Sequence, residues 1–265
     1  MNPLANLQEE INELVESFMS TPVWGTLQLG VTQYSFWMFV SCAVLLVVMF
    51  RFKKKQAADL VPRGRFVNGV EFVIEYVRDD LCQGLLGDTW REHFPFIGSV
   101  FFFVLVNNII GVIPGMKPGT GTIGTTAALA VCSFVYFIAI GIKRKGVGGY
   151  IKSLAPEGVA FPINVLVALI EVFSQILRPI TLAVRLFCNL FAGHIVMGTF
   201  AILASLYVQP LLVQASAQTL ALAGASVGWI LILIIIYAVE LLVAVIQAYV
   251  FTLLSAVYVQ LVESE

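Results

Sequence analysis

INVLVALIEVFSQILRPITLAVRLFCNLFAGHIVMGTFAILASL, residues 163–206, decides the fold. From Ile163 to Val262 the only formal charges are Glu171, Arg178, Arg185 and Glu240. A run this apolar reads as membrane-embedded helix. Arg185 stands inside it, with long apolar stretches on both sides. An arginine at bilayer depth costs about 3 kcal/mol on insertion scales and about 10 kcal/mol or more in simulations. A buried structural ion pair or a snorkelling side chain is the bland explanation, and snorkelling suits Arg178 better. The costly placement of Arg185 points instead to use.

Composition agrees. Hydrophobic residues make up 59% of the chain and charged residues 12%, with a mean hydropathy of +0.93. These values belong to polytopic membrane proteins. A net charge of −1 gives nucleic acid no electrostatic footing. The four cysteines, Cys42, Cys82, Cys132 and Cys188, lack CxxC spacing and read as small apolar residues. With only His93 and His194 and no HExxH motif, neither a metal site nor a cofactor is expected. Met1–Ser20 carries four glutamates and no basic residue, unlike a signal or transit peptide. Val15, Phe18 and Met19 beside those acids allow a short surface helix.

Working outward from 163, the expected fold is all-α, with about five membrane-embedded helices. The first span is about Val31–Phe50, ended by Arg51 and Lys53–Lys55. Phe66, Val70, Val73, Val77, Leu81 and Leu85 recur at spacings of three and four, opposite Asn68, Glu71, Glu75, Arg78 and Asp79. That pattern predicts an amphipathic helix over 66–87, lying in the membrane interface. Phe94–Ile113 and Thr125–Ile142 are the second and third spans, separated by the Gly-, Pro- and Thr-rich loop Pro114–Gly124. Lys143, Arg144 and Lys145 close the third. The remainder forms two apolar segments, about Ile163–Leu206 and Thr219–Leu261, joined by an uncharged loop over Tyr207–Gln218. About 44 residues make a helix of about 66 Å against a hydrocarbon core of about 30 Å, so each must be tilted, bent or broken. Arg178-Pro179 offers a kink. The expected organisation is an external segment over 1–30 and a single transmembrane domain over 31–265, whose last part, 163–261, is a tilted antiparallel hairpin. Twelve of the fifteen Lys and Arg residues fall in Arg51–Arg91 or Lys143–Lys152, and Lys117 is the one assigned to an outer loop. The N-terminus is then outside and the C-terminus inside.

In an antiparallel hairpin, residues at equal height have position numbers with a constant sum. Arg185 and Gln247 give 432, and His194 and Glu240 give 434. Both place the turn near residue 216. Arg185 then lies near mid-depth, His194 and Glu240 about 10–14 Å towards the outside, and Glu171 about 21 Å towards the inside. Glu171, Arg178, Arg185 and Asn189 share one helix face, and His194 projects to the other. Glu240, Gln247 and Tyr258 form a stripe on the last helix.

Imidazole and carboxylate can take up and release protons near neutral pH, whereas a guanidinium cannot pass one on. A fixed cation can draw the proton off a carboxylate brought beside it. Two proton relays at different depths, parted by Arg185, suit a two-half-channel device. The same residues leave open a hydrogen-bonded buried pair at His194–Glu240. A secondary transporter or channel holding an anion at Arg185, and an intramembrane acid–base enzyme, also stay open.

The run Arg185-Leu-Phe-Cys-Asn-Leu-Phe-Ala-Gly-His194 resembles the signature of the a subunit of F-type ATP synthases. Glu240 followed by Gln247, Glu171 fourteen residues before Arg185, Asn108 six before Pro114, and the segments 114–120 and 148–152 are similar to that family as well. The resemblance covers most of the chain beyond its first 30 residues. It implies that Arg185 is the stator arginine facing the carboxylates of a rotating c-ring. Asn189, His194, Glu240 and Gln247 would line the outer half-channel and its junction with the ring, Glu171 would serve the inner one, and Asn108 would belong to the proton pathway. It implies a non-catalytic subunit of a proton-translocating complex, with the c-ring and peripheral-stalk b subunits as partners, in a bacterial plasma membrane or a mitochondrial inner membrane. The basic loop Arg51–Arg65 and the amphipathic helix are the expected stalk contact. Many members carry Glu at position 194 and His at position 240, and the exchange implies that the two side chains touch. Cys188 stands where Gly or Ala is common, and Gly111 where some members have an acid.

Overall fold

A computed structural model describes residues 7–18, 22–24, 31–58, 64–153, 163–213 and 217–264. Helix α1 (Leu7–Ser17) precedes two short strands, β1 (Pro22–Trp24) and β2 (Val31–Thr32), which pair antiparallel. Then come α2 (Gln33–Ala58) and α3 (Arg65–Tyr76), which continues through a π-helical stretch, Val77–Gln83, into α4 (Gly84–Leu86). α5 (Trp90–Val112), α6 (Ile123–Ser153), α7 (Ile163–Val213) and α8 (Ala217–Ser264) complete the chain. Among the described residues five helical stretches are long and apolar enough to cross a membrane. The protein is an all-α membrane protein with one small ribbon that the sequence pattern did not announce.

The amphipathic segment forms a helix as its spacing predicts, broken from α5 at Gly87, where φ is +55°. The middle of its apolar stripe is covered by protein, while Phe66 at its start is exposed. Val77 and Leu81 are fully buried among Val100, Phe101 and Val104 of α5, Leu182, Leu186 and Leu190 of α7, and Phe251 of α8. Lipid gives helices no hydrophobic reason to associate, so contact depends on close fit and on small residues. α8 supplies them: Ala244, Ser255 and Ala256 are buried, and Ala248 and Thr252 have no exposure at all.

Three boundaries differ from the sequence reading. α2 continues past Phe50 through Arg51 and Lys53–Lys55 to Ala58. α6 passes the basic run 143–145 and continues to Ser153, bending at Gly146 (φ +71°). A run of cations ends a membrane span without ending a helix. α7 reaches Val213 and α8 starts at Ala217, so helix takes up most of the expected loop Tyr207–Gln218. Uncharged glutamines fit a helix end as well as a loop. α7 also continues through Pro179 without a break.

The C-terminal end of α8 is tied to its neighbours by Glu263. Its carboxylate accepts from Thr89 Oγ1 (2.7 Å) and His93 Nε2 (2.9 Å) and pairs with Arg144 (2.5 Å). His93 Nδ1 meets the Tyr136 hydroxyl at 3.0 Å. This cluster fastens α8 to α5 and α6 beside an open cavity of about 770 Å³ lined by Lys143 and Arg144, away from Arg185.

Candidate functional site

α7 and α8 lie side by side in antiparallel order. Trp229 packs on Phe200 (5.9 Å) and Tyr207 (6.3 Å), and Glu240 meets Gly193. Those partners agree with the register that the two polar pairs predict.

Leu182, Ala183, Leu186 and Leu190 turn one side of α7 into the core. Arg185, about a third of a turn off that stripe, is left exposed on the outer face of the chain. Its surroundings there are apolar: Val184 (43% exposed), Leu177 and Val196 on α7 are uncovered, as are Leu241, Leu242, Val245 and Ile246 on α8. Among the described residues no carboxylate pairs with Arg185. One turn on, the Asn189 amide nitrogen Nδ2 is buried without a hydrogen-bond partner. Gln247 is half-buried on α8.

Nine residues beyond Arg185, His194 Nδ1 donates to the Leu190 carbonyl at 2.8 Å, since a carbonyl can only accept. Nε2 is buried near the Gly111 backbone and makes no well-formed hydrogen bond among the described residues. The ring helps to line a cavity of about 230 Å³ together with Gly111, Lys117, Tyr237 and the end of α1. A space of that size holds several waters. Burial pushes the Lys117 ammonium below its usual value. Glu240 lies on the buried stripe of α8 at 8% exposure, one residue's height from His194. Its carboxyl rests on the backbone of Gly193, so close that a Cβ there would sit 2.1 Å from Oε1. The expected touch between the two side chains is not found: Glu240 meets the residue before His194, and no hydrogen bond or ion pair joins the pair.

Asn108 is fully buried on α5. Its Nδ2 donates to the Ala244 carbonyl of α8 (3.2 Å), and its Oδ1 accepts from Thr120 (3.2 Å) in the turn Gly119–Gly121. The amide thus pins the outer loop to two helices. Gly111, below that loop, is pressed against Pro118, 2.6 Å from where its Cβ would be.

Towards the start of α7, Glu171 accepts from Arg178 Nη2 at 2.9 Å, and the guanidinium lies over the Tyr258 ring at 5.2 Å. Tyr150 donates to Gln175 at 3.1 Å. Arg178, Gln175 and Tyr150 extend the polar set around Glu171. Gly193 and Phe18, which packs on His194, are the site residues that sequence reasoning missed. Glycine inside the signature run was the available sign of a close approach.

A family model described as ATP synthase A chain matches residues 35–260. The ATP synthase subunit a of Myxococcus xanthus is 35% identical over 89% of this chain and 73% of its own length. That of Gluconobacter oxydans is 35% identical over 90% of this chain and 92% of its own, and that of a Nocardioides species 35% over 87% and 81%. With nearly the whole chain matched and its long apolar helices in place, this protein belongs to the ATP synthase A chain family, the multi-pass membrane a subunits of the F-type complex.

Proposed function

We propose that the chain is the proton-conducting stator of a rotary ATP synthase in a bacterial plasma membrane. The observation that carries this reading is the position of Arg185. An unpaired guanidinium on an apolar, lipid-depth face needs a carboxylate from outside the chain, because an uncompensated charge there is costly. The carboxylates of a c-ring packed against α7 and α8 would supply it.

A proton enters from the outer cavity, is held by His194 and Glu240, and passes along Asn189 and Gln247 to a ring carboxylate. The neutralised carboxyl then rotates through lipid. After nearly a full turn it reaches the inner side, where Glu171, Arg178 and Tyr258 line the way out. It loses its proton there and comes to rest, ionised, opposite Arg185. The guanidinium has no proton to relay, so the two half-channels stay insulated from one another. Movement of the proton down the membrane potential contributes about 2.3 kcal/mol per 100 mV.

The residue-level support is the orphaned Nδ2 of Asn189 and Nε2 of His194, polar atoms that need hydrogen-bonding company inside an apolar body. Helix length supports the tilt. α7 has 51 residues, about 77 Å, against a core of about 30 Å. Within this reading residues 31–265 are one transmembrane unit, the basic segment after α2 and the outer side of α3 take the stalk b subunits, and the chain performs no catalysis by itself. The test is Arg185→Ala in the assembled complex, reading ATP-driven acidification of vesicles. Loss of pumping with the ring intact is expected, and normal coupled pumping would refute the stator role.

A further inference from the structure

The N-terminal helix is built into the outer cavity. Leu7, Ile11, Leu14 and Phe18 are spaced by four, three and four and share its half-buried side, with Glu9, Glu13 and Glu16 exposed opposite. Leu14 fits against Gly198 of α7, where an added Cβ would lie 2.7 Å from its methyl carbons. The last carbonyls of a helix have no partner within it, and cations are favoured there. Here Lys117 Nζ donates to the Ser17 carbonyl, and the Tyr34 hydroxyl donates to the Phe18 carbonyl at 3.0 Å. Three elements therefore fasten one turn of chain.

That turn presents Phe18 edge-on to His194, with ring centroids 6.0 Å apart and planes at 89°, and to Phe191 at 5.6 Å. Phe18 and His194 are both in the wall of the 230 Å³ cavity and of a smaller space beside it, which Lys117 and Tyr34 also line. We infer that Phe18 is a positioning residue for His194. It holds the imidazole against the Leu190 carbonyl, with Nε2 buried in the wall of the outer cavity near the Gly111 backbone. The inference rests on His194 as the outer proton site. The charged and titratable groups around that ring are Lys117 of the loop, Glu240 and Tyr237 of α8, Tyr34 of α2 and the exposed glutamates of α1.

The test uses the complete ATP synthase in vesicles, with ATP synthesis followed as the pH of the outer side is varied. Phe18→Ala should slow synthesis about fivefold and move the outer-pH midpoint by about half a unit, because the ring loses its fixed orientation. Phe18→Tyr, which keeps an aromatic edge, should restore both. Tyr34→Phe, which removes the hydroxyl that holds the Phe18 carbonyl without changing charge or touching the aromatic contact, should move the midpoint in the same direction and carries the test if Phe18→Ala assembles poorly. An unchanged midpoint in both Phe18→Ala and Tyr34→Phe overturns the inference. Arg185→Ala, run alongside, separates the two levels. If it still couples, the stator reading fails, and if it is silent while the Phe18 and Tyr34 variants behave as wild type, only the positioning role fails.

Discussion

The Glu240 carboxyl group lies directly on the Cα of Gly193, leaving no room for even a methyl group between α7 and α8. The acid is set in place by a missing side chain. Gly193→Ala must therefore push Glu240 out or part the helices. Proton transport should fall about ten- to a hundredfold, as misplacement of a reacting group by about 1 Å does. The rate of ATP-driven pumping in vesicles checks it, with subunit content measured by mass spectrometry. Wild-type pumping would show that the carboxyl position is not critical.

Asn108 satisfies a carbonyl on α8 and a hydroxyl in the outer turn at the same time. Asn108→Leu keeps the volume and removes both bonds. The expected cost is about 2 kcal/mol, read as a lower midpoint in thermal unfolding of the detergent-purified complex.

Arg178 bridges Glu171 and the Tyr258 face. Removing the cation strands a partly buried carboxylate, so Arg178→Met should reduce synthesis, whereas Arg178→Lys keeps the ion pair and loses the planar stacking. The rate should fall in the order wild type, Lys, Met. Equal rates for all three would leave the pair without a role in transport.

Glu263 gathers Thr89, His93 and Arg144 at the C-terminal end of α8. Glu263→Ala removes the acceptor of a nearly buried imidazole and should cost about 3 kcal/mol. Faster proteolysis of the α8 end in purified complex would report it, with Arg185-dependent coupling otherwise retained.

Much of this arrangement was legible in the sequence, for particular reasons. The hairpin register followed from two polar pairs in an otherwise apolar hundred residues, and it agrees with the contacts of Glu240 on Gly193 and of Trp229 on Phe200 and Tyr207, although neither pair is hydrogen-bonded. The stripe from Val73 to Leu81 showed in its spacing, since a helix advertises a buried side whatever covers it. What covers it was not legible: the pattern suited lipid as well as the α5, α7 and α8 residues found there. Gly193 under Glu240 and Leu14 against Gly198 depend on how closely two helices approach, which spacing along one helix does not encode. The end of α7 was misplaced because glutamine and serine are tolerated in a helix and in a loop alike. Phe18 stood in a strongly acidic segment, and its meaning came only from the residues on which it lands.

Cys188, exposed on α7 and three residues beyond Arg185, offers the most direct measurement. With Cys42, Cys82 and Cys132 replaced by serine, a cysteine is placed beside the ring carboxylate and oxidation is induced in membranes. The stator account predicts a disulfide between Cys188 and the ring subunit, and none from a cysteine placed at the buried Leu186. Bridging from position 186 with Cys188 silent would contradict it, because Arg185 would then face away from the rotor.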